Sequence, residues 1–485
     1  MNLIDKKPVL GLVVSNRAFF NPAIALAGRN EILALLDALG IGYVIQDARA
    51  TASGCVENYR DAKILAAEFA RRRDEIDGIL VILPTFGDEV AVVEAIRLSG
   101  LKVPVLVQAC SDDPSKVGVK SRRDAFCGKI SVANNLYQYG IPFTDTAFHT
   151  CSINSDAFKE DIVKFMAVCR VVRGVRSMRV GLIGARPAAF RTVRFSEKIL
   201  QQYGITTVPV DLSEILAQAA VIKDSDPAVA EKLRAIENYG TIEKNIPPEN
   251  ILREAKFSVT VERWIEENEI DASALQCWNS LEANYGCASC LAMSMMGDLL
   301  MKPSACEADI CGAVSMYMLD LASKNAAALL DWNNNYREET EICVNTHCSN
   351  YPRSFMGNAV SIGNLDLLGE TFGGDRCFGA VKGHVSPGEM TFFRVSTDDT
   401  KGRIKAYLGE GSFIDKEFNM DGGIAVCQVP SLRKLLAVIT QNGFEHHVAM
   451  VRSHVAGVVY EAVTKYLGWK IYYHNRPQDL PEIMD

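Results

Sequence analysis

Residues 304–310 read SACEADI, a glutamate and an aspartate beside a cysteine, just after the apolar run SCLAMSMMGDLLM. A carboxylate at Glu307 suits either the positive end of a helix dipole or a divalent cation. A second carboxylate, Asp331, follows the short apolar run AAALL, and the pair His446-His447 stands in GFEHHVAM. Hard divalent ions take carboxylate oxygens, and an imidazole in the set tilts the choice toward Mn²⁺ or another transition metal. His347, in NTHCSNYP, is a further imidazole candidate. The bland alternatives are a glutamate favoured by the dipole, an aspartate capping the turn DWNNN and a polar His-His loop. On the residues alone, what stands is an acidic pocket at a sheet edge.

Such groups meet only if the fold brings them together. The first region alternates VLGLVVS, RNEILALLDAL, GYVIQD, AKILAAEFARRR, DGILVILPT, DEVAVVEAIRL and VPVLVQA. Short β-branched runs between amphipathic helices mark parallel βαβ units and predict an N-terminal α/β domain over 1–175. A second series, RVGLIGARPAAF, ITTVPVD, EILAQAAVI and ASALQCW, predicts another α/β domain over 176–340, interrupted by a polar helical region from 223 to 268. Beyond 341, EICVNTH, AVSIGNLDLL, MTFFRVST, RIKAYLGEG and IAVCQVP are strands joined by Gly, Asn, Asp and Pro clusters. They predict a β-rich, barrel-like C-terminal domain over 341–485, with a closing helix around 448–466 and a last strand WKIYYH. The expected class is α/β: two doubly wound parallel-sheet domains, then the β-rich one.

Ligands of a doubly wound sheet bind beyond the carboxyl ends of its strands. VGLIG ends there at Gly184 and leads into an expected helix with Arg191 and Arg194; LQCW brings Gln276 and Trp278. Glu307 opens the expected helix EADICGAVSMYMLDLAS, which runs away from the edge, and the strand ending at Asp331 returns to it. Both carboxylates then face one cavity. CASC at 287–290 has no second CxxC, so its thiols are read as packing. GLIGARP has too few glycines for a dinucleotide fingerprint. In PTFGDE, Asp88 and Glu89 suit a ligand contact or a cap on the helix DEVAVVEAI, and the cap is favoured. Arg186, Arg191 and Arg194 suit a phosphate or a solvated helix face, and the second is favoured.

At 485 residues the chain is long enough for two or three domains, and 48% hydrophobic with 23% charged residues is a soluble globular balance. A net charge of -8 argues against nucleic acid and anionic membrane as partners. The 14 cysteines lie scattered in apolar segments, as reduced thiols of a cytoplasmic protein would. No apolar run approaches membrane-spanning length and no secretory leader pattern opens the chain, so no membrane span is expected.

QCWNSLEANYGCASC, ACEADICGAVSMYML and LLDWNN, with GARPAAF upstream and HH near the C-terminus, resemble the L-fucose isomerase and L-arabinose isomerase superfamily, most closely its fucose-isomerase-like branch. The resemblance covers essentially the whole chain in order. It implies a divalent ion, Mn²⁺ first and Mg²⁺ or Co²⁺ as alternatives, held by Glu307, Asp331 and His447. The implied reaction is aldose–ketose isomerisation of a pentose, hexose or deoxy sugar through an enediolate, with Glu307 and Asp331 as the catalytic carboxylates. It further implies sugar contacts from Gln276, Trp278, Arg17, His347 and His446, and a homo-oligomer, a trimer or hexamer. Two other readings compete: a non-catalytic carbohydrate-binding or sensing protein, which needs no metal, and a metal-dependent epimerase or lyase using the same enediolate.

Overall fold

The computed structural model describes residues 3–347, 350–357 and 360–478. By its internal contacts the chain divides into two compact units, residues 3–173 with 461–468, and residues 174–460 with 469 onward. Among the described residues, no helix is long and apolar enough to cross a membrane.

In the first unit, β1 (Val9–Val14), β2 (Gly42–Val44), β3 (Gly78–Leu83), β4 (Val105–Ala109) and β5 (Thr144–Asp145) form a parallel sheet in the order β2-β1-β3-β4-β5. The sheet is buried on both faces. Leu10, Leu12 and Val14 enter one core with Ile32, Leu36, Phe158 and Phe165, while Val13 enters the other with Leu65, Phe69 and Ile96. That two-sided burial is why GILVIL of β3 carries no polar alternation. Asp88 caps the helix Glu89–Ser99, its carboxylate accepting the Ala91 N–H.

The second unit continues with β6 (Arg179–Ile183), β7 (Thr206–Val210), β8 (Thr241–Ile242), β9 (Ala272–Leu275), β10 (Ser304–Ala305), β11 (Ala327–Asp331), β12 (Asn334–Tyr336) and β13 (Glu339–His347). Then come β14 (Ser361–Asn364), β15 (Phe378–His384), β16 (Gly388–Asp398), β17 (Arg403–Phe413), β18 (Gly423–Gln428), β19 (His447–Val451) and β20 (Lys470–Tyr473). A four-stranded parallel sheet runs β10-β9-β6-β7. The rest build an 11-stranded mixed sheet along β11-β19-β16-β17-β18-β15-β14-β8, with β12, β13 and β20 attached to it. Among the described residues this path closes no barrel, so the C-terminal part is β-rich without being barrel-shaped.

Three local expectations are corrected. The strand ending at Asp331 joins no parallel sheet: β11 pairs antiparallel with β19. The expected helix over 448–466 begins as strand, because His447–Val451 is buried at every position between β11 and β16. Only Ala456–Glu461 is α-helical, followed by a π-helical turn at Ala462–Tyr466. The expected helix at Arg191 and Arg194 is a single 3-10 turn, Arg191–Val193, with both arginines exposed. The polar region from 223 to 268 does form two helices, Pro227–Tyr239 and Pro248–Glu267.

The helix Pro248–Glu267 buries Glu254 completely. Burial pushes its pKa up to about 8, although Cys287 and the Ala292 N–H, 3.2 Å from Oε1, work in the opposite direction. The folded chain thus keeps a proton that an unfolded glutamate releases near pH 4.3. Stability is therefore lost as pH rises from about 4.5 through about 8. Urea unfolding of Glu254→Gln should show the variant gaining on the wild type over that window, by about 4–5 kcal/mol. A difference independent of pH would clear Glu254 of this role.

Candidate functional site

Glu307 stands in a tight turn, Cys306–Ala308, between β10 and the helix Ile310–Ser323. The helix does not open at Glu307 as expected: its N-cap is Asp309, whose side chain accepts the Gly312 N–H. Glu307 and Ala308 are left-handed, with φ of 62° and 58°. Two successive non-glycine residues in that region cost about 1–2 kcal/mol each. The turn sets Glu307 off the helix axis and buries it at 3% exposure.

Asp331 and His447 come from opposite strands. They are directly paired across β11 and β19, so the ladder sets their side chains on the same face. His447 Nε2 lies 3.1 Å from Glu307 Oε2 and 3.5 Å from Asp331 Oδ1. His347, at the end of β13, stacks its ring 5.0 Å from that of His447. Ligand atoms of Glu307, His347 and His447 all lie within 4.8 Å of one another, as do those of Asp331, His446 and His447. The first trio is buried, and the second opens toward solvent through half-buried His446, whose Nε2 is 3.8 Å from Asp331 Oδ1.

Burial lowers the pKa of His447, but hydrogen bonds to Asp309 and Glu307 outweigh it and lift the value to about 9. A cation is thus favoured among these carboxylates. Burial also lowers the pKa of His446, and the neighbouring His447 adds to that. Asp309 shows the reverse balance: burial would raise its pKa, yet Arg394 and His447 hold it well below the usual carboxylate range.

Glu307, Asp331, His347 and His446 line a cavity of about 510 Å³, together with Trp278, Phe190, Asn333, Thr346, Asp366, Glu370, Met420 and Asp421. That volume suits a small ligand. Trp278 and Phe190 pack edge to face at 4.8 Å, making an apolar wall. Asp331 Oδ1 is buried and has no hydrogen-bond partner. An orphaned carboxylate oxygen beside two imidazoles and a second carboxylate is a donor set that fits a divalent transition ion.

The structure thus brings Glu307, Asp331, His347, His446, His447 and Trp278 together. Gln276 is not among the residues lining the cavity; its Oε1 accepts the Ala185 N–H at 2.8 Å. Arg17 belongs to the first unit, where it donates to the Gly87 carbonyl at 3.0 Å, pairs with Glu89 and lies 4.0 Å over the Phe86 ring. Sequence reasoning assigned no role to Asp309, Arg394 or Glu445, the charged groups behind His447. The signal was present for Arg394, a charge inside the apolar strand MTFFRVST, since a buried arginine needs a buried anion.

Residues 11–176 match the model of the fucose/sulfoquinovose isomerase N-terminal domain, and residues 345–474 that of the L-fucose isomerase C-terminal domain. A sulfoquinovose isomerase of Priestia aryabhattai is 28% identical over 388 residues, 79% of this chain and 82% of that protein. One from Alkalicoccus urumqiensis is 25% identical over 369 residues, 74% of this chain and 78% of that protein.

Proposed function

The chain belongs to the L-fucose isomerase-like family and is a sugar aldose–ketose isomerase, and from that premise we propose that Glu307, His347 and His447, completed by Asp331, hold Mn²⁺ at its active site. The observation that carries the reading is the direct pairing of Asp331 with His447 across two strands, which sets buried His447 beside Glu307 and Asp331, the two carboxylates that line the cavity. A divalent ion bound there supplies Lewis acidity toward the oxygens at C1 and C2 of the sugar. The residues do the rest. Asp331, the most open of the four, moves the proton between C1 and C2 through the sugar's enediol. Trp278 and Phe190 cover the apolar face of the sugar and exclude water. His446 hydrogen-bonds a hydroxyl at the mouth.

The acidic lining of the cavity favours an uncharged sugar. Asp366, Glu370 and Asp421 belong to that lining, and among the described residues no lysine or arginine lines it. Lys382 reaches Asp421 at 2.9 Å and Asp366 at 3.5 Å, but it also serves Glu243 at 3.4 Å, one cation against several anions. A sulfonate, as on the sugar for which the relatives are named, would meet like charge. Two like charges about 8 Å apart at an effective dielectric near 20 repel by about 2 kcal/mol, on the order of 30-fold in affinity. Metal-stripped protein reloaded with Mn²⁺ should therefore convert uncharged pentoses, hexoses or deoxy sugars at least about tenfold better, by kcat/KM, than 6-sulfonated or 6-phosphorylated aldoses. A preference for the anions would overturn the substrate class, and a chain indifferent to Mn²⁺ would overturn the metal.

A further inference from the structure

Behind His447, on the side away from the cavity, lies a fully buried ionic chain. Asp309 Oδ2 is 2.8 Å from His447 Nδ1. The same carboxylate receives Arg394 Nη1 at 2.5 Å and Nη2 at 3.0 Å, and the Gly312 N–H at 2.9 Å. Arg394 Nε reaches Glu445 Oε2 at 3.2 Å, and Glu445 Oε1 accepts from Ser396 at 2.8 Å. Arg394 and Asp309 are 0% exposed, and Glu445 is 6% exposed. A buried ion pair returns little net stability for the desolvation it costs, so three charges kept here invite a role beyond folding.

We propose that Asp309, braced by Arg394 and Glu445, is a positioning residue that fixes which nitrogen of His447 is offered to the metal. This rests on the metal-site reading above. The carboxylate accepts from Nδ1, so the Nδ1 proton points at Asp309 and the Nε2 lone pair is turned toward Glu307 and Asp331. All four acceptor positions of Asp309 are taken, and each faces a donor: two from Arg394, one from Gly312 and one from His447. An amide placed either way round therefore sets an NH₂ against a donor, or donates to Nδ1 and forces the other tautomer. The backbone is shaped around the same carboxylate: a Cβ at Gly312 would stand 2.6 Å from Asp309 Oδ2. Arg394 also ties the two halves of the site together. Asp309 follows Glu307 closely, and Glu445 precedes His447 closely, so one guanidinium registers the turn of one ligand against the strand of the other.

The test is calorimetric titration of Mn²⁺ into metal-stripped protein. Asp309→Asn should bind about 10–100-fold more weakly than the wild type. Ser315→Ala, which removes a buried hydrogen bond to the Val395 N–H without touching the chain of charges, should bind within about twofold. In the wild type loaded with ¹¹³Cd²⁺, coupling should appear to Nε2 of His447, assigned by its loss in His447→Gln, and the Nδ1 proton should be retained. That spectrum decides the matter if Asp309→Asn fails to fold. Wild-type affinity in a folded Asp309→Asn, or coupling through Nδ1, overturns the positioning role alone. A wild type that binds neither ion overturns the metal reading and this inference with it.

Discussion

Glu307→Gln should leave a folded protein that no longer holds Mn²⁺: affinity falls by more than about 100-fold, beyond the loss seen when a supporting partner of a ligand is removed. Turnover at fixed metal falls by at least about 10³. The substitution keeps the side-chain shape, so the left-handed turn at Glu307 and Ala308 is undisturbed. It removes the negative charge next to His447 Nε2 at the buried centre of the trio, where the neutral amide oxygen is the weaker ligand. Far-UV circular dichroism and urea unfolding without metal should remain close to wild type, because one buried carboxylate fewer also means one desolvated charge fewer. A variant with wild-type affinity would remove Glu307 from the ligand set, and with it the explanation for a strained turn at that position.

How much of this was legible beforehand depends on the range of the interaction. The βαβ alternation of residues 9–109 is local, and β1, β3 and β4 lie where their apolar runs predict them. The cap at Asp88 is equally local. Glu307 does follow a strand of the parallel sheet, whereas Asp331 reaches the cavity from β11, paired with β19 instead, and in the sequence His447 is a ligand only by the family resemblance. The run AALLD is buried wherever it pairs, so nothing within it distinguishes a parallel neighbour from β19, a strand far along the chain. HVAMV failed for the same reason: a short continuous apolar run has no period by which strand and helix differ. The left-handed turn at Glu307 was beyond reach, since glycine would have announced it and Glu-Ala does not. Asp309 stood in view, two places from a candidate ligand. Its meaning needs Arg394, and that contact is tertiary.

Asp331→Asn should separate binding the metal from moving the proton. Three donors remain at the buried trio of Glu307, His347 and His447, and the asparagine oxygen can still approach an ion, so Mn²⁺ affinity should drop only about tenfold. At saturating Mn²⁺ the variant should nevertheless be about 10²–10⁴-fold slower in kcat with KM little changed, because an amide cannot take a proton from carbon. Asp331 is singled out over Glu307 by its surroundings. Its side chain is 22% exposed at the cavity against 4% for Glu307, so it is the carboxylate a sugar reaches more readily. In ²H₂O the wild type should place deuterium on the carbon that receives the proton, and Asp331→Asn should lose that incorporation together with turnover. If instead the variant loses Mn²⁺ as fully as Glu307→Gln, Asp331 serves first as a ligand. Retained exchange at the wild-type rate would hand the proton to another group, with Glu307 the nearest carboxylate to take it.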